Sequence, residues 1–457
     1  MLKRILIAGV VLVLLIGALG TWAMRSELPK YRDAFTYAFG PYEFVRSVQD
    51  LSAQREAEGG MFSTETIRAA ASDITDGAFL NREIHTRELA DHTLRAVTTP
   101  NNDTLYTSAV LELSQTPVEL TLPDAGERYL SVALMDVFTD QFAHIGPRET
   151  GGAGGTYWIV GPNDETVPPA GVELIRSTGN DVWLLARTFV SGQSDLAAAR
   201  SVQSGIRVRP VFSDRAPIPF ATQVTDLEDS ENFLAVVQEA LARNPDHPHT
   251  ERVARFPALK VEPGTAYGPL GKVLWALVTP RAETAITEQV NQQLSAQLGW
   301  SAPPENIGLY GDDDALRSGI ALIGFGALRQ QDAIYYRKTR TADGAVLAGT
   351  KNYKMVLPPN VPAQAFWSIS VYEPDETGRF FFFDNPTGRH SLNSGAEGLS
   401  VESDGSVVLH IGPEAPENAA GNWLPTPDGT FTAFFRLYLP TGKAVEDGWA
   451  PPPILPE

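Results

Sequence analysis

A chain of 457 residues has room for two or three domains, and 43% hydrophobic against 20% charged residues places it among globular proteins, not disordered ones. Its net charge of -19 repels phosphate backbones, and no basic stripe offsets it, so nucleic acid is excluded as a partner. There is no cysteine, which removes disulfides, thiolate metal sites and a thiol nucleophile.

Lys3-Arg4 precede an unbroken apolar run of 20 residues, Ile5 to Met24. That is longer than a signal core of about 7–15 residues and matches the roughly 20 that cross a bilayer. Residues 1–24 are therefore expected to form a signal anchor, a transmembrane helix. The small residues Gly20 and Ala23 leave a cleaved signal open, and Arg25, Lys30 and Arg32 weaken the charge asymmetry. The expectation is a cell-envelope protein anchored in the inner membrane with its body in the periplasm.

Tyr31 to about Glu58 reads as helix, broken at Gly40-Pro41. Thr98 to Asp103 is a turn cluster by composition. From Thr104 to Gly192 short β-branched and aromatic runs alternate with turns, the pattern of strands. Over about 225–335 the period becomes helical: Phe233, Val236, Val237 and Ala240 follow the capping residues Asp229 or Ser230. Ile286, Val290 and Leu294 make a second helix, and Asp312 to Asp314 open a third with Leu316, Ile320 and Ile323. Strand patterning resumes at Tyr335 and runs to Leu439, before a Pro-rich tail expected to dock on the surface or dangle.

The two β regions echo each other. YLSVALMD at Tyr129–Asp136 matches FWSISVYE at Phe366–Glu373 in residue type, position by position. Arg148 and Arg389 follow, then IVGP at Ile159–Pro162 and HIGP at His410–Pro413, then strands carrying Arg187 and Arg436. The fold class expected is mainly β: two related β-sandwich-like domains, 31–215 and 336–445, with a helical insert at 225–335 between them and the amino-terminal transmembrane helix.

The run TTPNNDTLYTSAVLELSQTPVELTLPDAGERYLSVALMDVFTDQFAHIGPRETG, preceded by AFGPY at Ala38–Tyr42, resembles the bacterial DUF1254 family. The runs FFFDNPTGRHSL, DGSVVLHIGPEAP and NWLPTPDGTFTAFFRLYLP resemble the DUF1214 family, which usually follows it. The resemblance spans roughly residues 35–440 and implies an exported protein of two sandwich-like domains around a helical insert, with no established activity. His390 departs from the family pattern, in which an aromatic residue usually follows the arginine of N-P-x-x-R.

Several polar groups are candidates for chemistry. Asn101, Asn102 and Asp103 share one turn, either as an Asx-turn or with Asp103 as a general base. Asp136 with Arg148, and Glu373 with Arg389, are expected as ion pairs inside each domain, unless the arginines grip an anionic ligand. Asp140 and His144 have no counterpart in the second copy and offer an acid–base couple or a structural histidine. Trp158, Trp183, Trp367, Trp423 and Phe380 to Phe383 fit sandwich core or a ligand groove. His247 and His249 are too interrupted by Pro245 and Pro248 to be expected as metal ligands. No phosphate loop, nucleophile elbow or calcium loop is present, and no cofactor or metal is expected.

Two functions follow. In one, a hydrolase acts on a small or oligomeric organic substrate in an inter-domain cleft. Asp103, Asp136, Asp140 and His144 are catalytic; Asn101, Asn102, Arg148, Asn385, Arg389, Asn422 and Trp423 bind substrate. In the other, a non-catalytic envelope module binds a glycan or a partner protein. The partners this permits are a small-molecule or glycan ligand, the membrane through the amino-terminal helix, and a second copy of the chain.

Overall fold

The computed structural model describes residues 20–53, 79–95, 98–260, 267–294, 299–376, 379–445 and 448–457. The expected anchor up to Leu19, and the stretch 54–78, lie outside these residues. Among the described residues no helix is long and apolar enough to cross a membrane.

The first β-domain runs β1 (Ile84–His85), β2 (Thr104–Glu112), β3 (Val118–Leu122), β4 (Leu130–Asp136), β5 (Gln141–Ile145), β6 (Gly155–Val160), β7 (Glu173–Arg176), β8 (Asp181–Phe189) and β9 (Arg207–Pro210). One sheet has the order β1-β2-β8-β4-β5, the other β7-β6-β3-β9. The second domain runs β10 (Ala333–Lys338), β11 (Tyr353–Leu357), β12 (Ala363–Pro374), β13 (Phe380–Phe381), β14 (Ser391–Asn393), β15 (Val407–Gly412), β16 (Trp423–Pro425), β17 (Thr432–Pro440) and β18 (Leu455–Pro456). Its sheets have the orders β10-β17-β12-β13, with β14 also on β12, and β16-β15-β11-β18.

The echo is therefore topological. The central order β2-β8-β4-β5 of the first domain becomes β10-β17-β12-β14 in the second, and the β3-β6 pair becomes β11-β15. Each domain closes its two sheets over an apolar core, because alternate strand residues point inward. Leu111, Val132, Leu184 and Ala186 meet Leu120 and Ile159 in the first. Ile334, Trp367, Ile369 and Phe435 meet Met355 and Leu409 in the second. The Pro-rich tail docks: β18 pairs with β11, Ile454 is buried, and Trp300 donates to the Pro452 carbonyl.

Helices α1 (Leu28–Ala53), α2 (Ser230–Arg243), α3 (Pro269–Val278), α4 (Ala282–Leu294) and α5 (Asp314–Gly324) form one layer. Asp229 caps α2, accepting from the Glu231 and Asn232 amides. Phe35, Tyr37, Phe39, Tyr42 and Phe44 are all buried, so α1 is apolar around most of its girth and runs through the middle of the layer. The expected break at Gly40-Pro41 does not occur, and the helix continues through Pro41. Gly40 leaves room for another group: a Cβ there would stand 3.1 Å from Cδ of Arg317, which crosses α1 at that point.

The helical layer covers one end of the outer face of the first domain's central sheet. The second domain covers the other. Trp183 and Leu185 of β8 join the helical core, whereas Tyr129 and Phe189 meet Phe366 and Tyr438 between the domains. That is why every residue of β4 is buried, with no alternation.

The connection from β10 to β11 packs backbone against backbone. A Cβ on Gly349 would lie 1.7 Å from the Pro427 carbonyl oxygen. Gly349→Ala is expected to cost about 3 kcal/mol by overpacking, read as a lower urea midpoint at unchanged slope.

Candidate functional site

The outer faces of the two central sheets oppose each other and carry the same polar triplet. Tyr106, Arg187 and Ser131 stand abreast on β2, β8 and β4. Tyr335, Arg436 and Ser368 stand abreast on β10, β17 and β12. Both arginines are buried, at 5% and 4% exposure. Tyr106 and Tyr335 are only partly covered, although all their triplet partners are buried.

The two arginines differ in partners. Arg436 donates from Nη1 to Ser370 Oγ at 2.8 Å, and from Nη2 to Tyr372 Oη at 2.6 Å and the Thr99 carbonyl at 3.3 Å. It also feels the negative charge of Asp103. Arg187 donates from Nη2 to the Gly326 carbonyl at 2.7 Å, while its Nη1 has no partner. Its guanidinium lies 5.5 Å from the ring centre of Tyr106, and among the described residues no carboxylate pairs with it. Tyr129 Oη and Ser131 Oγ meet only each other, and Ser368 Oγ meets only the Asp103 carboxylate, in contacts looser than a well-formed hydrogen bond.

Asp103 is fully buried. Its Oδ1 accepts from Ser391 Oγ at 2.9 Å and Asn393 Nδ2 at 3.1 Å. Burial raises its carboxyl above the ordinary value, against the opposing pull of Ser368, Arg436 and Asn393. Asn101 makes the expected Asx contact, accepting from the Asp103 amide at 2.7 Å, and its Nδ2 donates to Tyr438 Oη of the second domain at 2.5 Å. Asn102 donates to the Ala90 carbonyl and accepts from Ser391. The turn is thus both an Asx-turn and the grip of one domain on the other.

Asp136 and Asp140 form a second network. Asp136 does not pair with Arg148. Its Oδ2 takes His247 Nε2 at 2.8 Å and the Thr178 hydroxyl at 2.7 Å, and its Oδ1 accepts the Phe138 and Asp140 amides. Asp140 Oδ2 lies 2.8 Å from His249 Nε2 and 3.1 Å from Arg317 Nη2, and its Oδ1 accepts the Tyr310 amide. Burial pushes the Asp140 carboxyl up, but the His249 hydrogen bond and the Arg317 charge outweigh it and hold it below the ordinary value. His247 and His249 flank Pro248 at the start of a helical turn, Pro248–Glu251, where the sequence suggested only loop.

His144 and Arg148 form a third network, directed at the second domain. Arg148 donates to Asp332 Oδ1 at 2.7 Å and 3.2 Å, and also meets Glu149. His144 Nδ1 lies 3.4 Å from both Glu149 Oε2 and Asp332 Oδ1. These three side chains bring potential metal-ligand atoms within 4.8 Å of one another, but the Arg148 guanidinium already supplies the positive charge there.

The nominated residues of the second domain brace their own loops. Arg389 donates to the Ala420 and Trp423 carbonyls and does not pair with Glu373. Asn385 accepts from the Thr387 and Arg389 amides. Asn422 bonds Ser400 and the Val408 carbonyl, and Trp423 donates to the Gly412 carbonyl. So the expected catalytic groups fall into three separate networks, and these four side chains bond groups of the second domain, not Asp103 or His144. What the sequence reading missed as site residues are Arg187, Arg436 and the tyrosines. The signal was present, since an arginine at matching places of two buried strands is costly unless something balances it.

His390 replaces the family's aromatic as an aromatic. It stacks on Phe382 at 4.7 Å between ring centres, and burial lowers its pKa to about 4. A folded-state value below the unfolded one of about 6.5 means the unfolded chain binds the extra proton, so stability is lost as pH falls from about 6.5 towards 4. His390→Phe is expected to recover roughly 1–2 kcal/mol of the stability lost between pH 7 and pH 5, measured by urea unfolding at both.

A separate polar cavity of about 630 Å³ lies between α1 and the segment before α2, lined by Tyr42, Arg46, Asp50, Asp226, Glu228 and Glu283 among others.

The comparisons match this architecture. Residues 80–210 match the family model "Protein of unknown function (DUF1254)", and residues 332–442 match "Protein of unknown function (DUF1214)". The crystal structure of the VPA0106 protein from Vibrio parahaemolyticus is similar to this chain at 20% identity, with a TM-score of 0.69, over 94% of this chain and 99% of that one. A putative uncharacterised protein from Burkholderia cenocepacia matches at 12% identity and a TM-score of 0.45, over 94% and 98%. No curated protein matches. With both family models matched in order along two topologically related domains, the chain belongs to the proteins that carry a DUF1254 domain followed by a DUF1214 domain.

Proposed function

We propose that the protein is a small-molecule-binding module whose ligand is enclosed between its two β-domains. One observation carries this reading: the facing sheets leave Arg187 Nη1 buried without a partner, in one layer with the Tyr129 and Ser131 hydroxyls, which meet only each other, and with Ser368, which meets only Asp103. Each such group costs about 1–3 kcal/mol unless something meets it, and a ligand with matching groups does so. The hydrolase reading needs Asp103, Asp140 and His144 around one reacting centre, and their hydrogen bonds run to three different sets of partners.

The test is native mass spectrometry of full-length protein purified from its natural host. The expected result is a small-molecule mass that is released on denaturation and absent from a Ser368→Trp variant, whose indole fills the layer. A protein that carries nothing, yet hydrolyses ester or glycoside substrates in a manner abolished by Asp140→Asn and His144→Gln, overturns the reading in favour of the enzyme.

The same proposal places the body outside the inner membrane, tethered by the apolar run that follows Lys3-Arg4. The full chain is then expected to pellet with membranes after alkaline carbonate washing. Recovery in the wash contradicts the tether.

A further inference from the structure

We infer that the enclosed ligand is a small hydroxycarboxylate, its carboxylate held by Arg187 and its hydroxyl by Asp103; this rests on the inter-domain binding reading above. Charge supplies the first argument. Two guanidiniums, Arg187 and Arg436, face one carboxylate, Asp103, across this layer; the buried Asp332 beside Tyr129 is already paired with Arg148, so an excess of one positive charge is left. A buried charge without a counter-charge is strongly unfavourable, and a monoanion removes the excess. A dianion such as phosphate overshoots it, and a zwitterion leaves it in place.

The donors supply the second argument. Arg187 Nη1 is unpartnered, and Ser131 stands beside Arg187 in register on β4. Tyr129 lies two residues before Ser131, on the same face of the chain, as its ring contacts to Phe366 and Tyr438 of the second domain require. Its hydroxyl and that of Ser131 meet only each other, and loosely. One guanidinium N–H and two hydroxyls match the acceptor capacity of a carboxylate. The opposite end presents an acceptor: Asp103 Oδ1 is taken by Ser391 and Asn393, while Oδ2 has no well-formed hydrogen bond and only the Ser368 hydroxyl stands near the carboxylate. Asp103 therefore selects a donor on the ligand, and the charge balance makes that donor a neutral hydroxyl and not an ammonium.

The two ends are bridged by tyrosines. The Arg436 guanidinium sits 6.0 Å from the ring centre of Tyr335, whose ring lies 6.2 Å from that of Tyr438. Tyr129 packs 5.4 Å from Tyr438, whose hydroxyl is bonded by Asn101, two residues from Asp103.

The test is calorimetric titration of the dialysed full-length protein with matched probes: propionate against lactate, benzoate against 4-hydroxybenzoate, and alanine and inorganic phosphate as charge controls. The expected result is that a hydroxylated acid binds at least tenfold more tightly than its parent acid, with no heat from alanine or phosphate. Arg187→Met abolishes carboxylate binding, and Asp103→Leu removes the hydroxyl preference while keeping the carboxylate. The preference in the unmodified protein is decisive by itself, should Asp103→Leu fail to fold. Carboxylates that bind without hydroxyl preference overturn the role of Asp103 but leave an inter-domain ligand standing. Binding of phosphate or alanine in preference, or no binding of any carboxylate, overturns the ligand class. The mass measurement above then judges the inter-domain reading independently.

Discussion

Arg187→Met and Arg436→Met will move the stability of the ligand-free protein in opposite directions, although the two arginines hold equivalent places in the two domains. Arg187 has one hydrogen bond, to Gly326, and no carboxylate. Methionine fills similar space without a charge, so its replacement is expected to stabilise by roughly 1–3 kcal/mol. Arg436 is bonded to Ser370, Tyr372 and the Thr99 carbonyl, and balances Asp103. Removing it leaves a buried carboxylate without its counter-charge and is expected to destabilise by about 3–5 kcal/mol. Urea unfolding of both variants checks this. Equal losses would mean that Arg187 is as well satisfied as Arg436, and that nothing is missing from the layer.

Arg317→Leu is expected to cost about 3–5 kcal/mol and to loosen the helical layer from the first β-domain. Arg317 is fully buried on α5, and reaches Asp140 on the loop after β4, Asp314 on its own helix and the Gly311 carbonyl. Its removal leaves the buried Asp140 with His249 alone, whereas Asp314 keeps Arg252. Asp140 is held below the ordinary carboxylate value by His249 and Arg317, against the effect of burial. A depressed folded-state value means that Asp140 stabilises above the unfolded pKa of about 3.9, and that this contribution disappears as pH falls through the folded value. The Asp140→Asn/Arg317→Leu double variant is expected to lose less than the sum of the singles, by at least about 1 kcal/mol. Strict additivity in chemical denaturation would show that the two residues act independently.

Much of the fold was legible because strand echoes are local. The match of Tyr129–Asp136 with Phe366–Glu373 is a statement about two eight-residue strings, and the structure turns it into matching central strand orders. The Asp229 cap and the helical period after it are equally local signals. Partner choice is not local. Asp136 and Arg148 lie close in sequence, but Asp136 binds His247, 111 residues away, and Arg148 binds Asp332, 184 residues away. Nothing in a single sequence ranks such partners. The helix through Gly40-Pro41 was misread for a related reason: the glycine answers to the Arg317 side chain crossing it, which only tertiary packing reveals. Arg187 and Arg436 were visible in the echo as strand residues. Their importance emerges only once both sheets are seen to face each other, since an arginine on a strand is ordinary at a surface and costly in a buried layer.

The most direct test is a crystal structure of full-length protein purified from its natural host, inspected between the two central sheets. Density for a small molecule bonded to Arg187 Nη1 and reaching Asp103 is the predicted result. A layer closed by protein atoms alone, with Arg187 paired to a carboxylate of the chain, would contradict it.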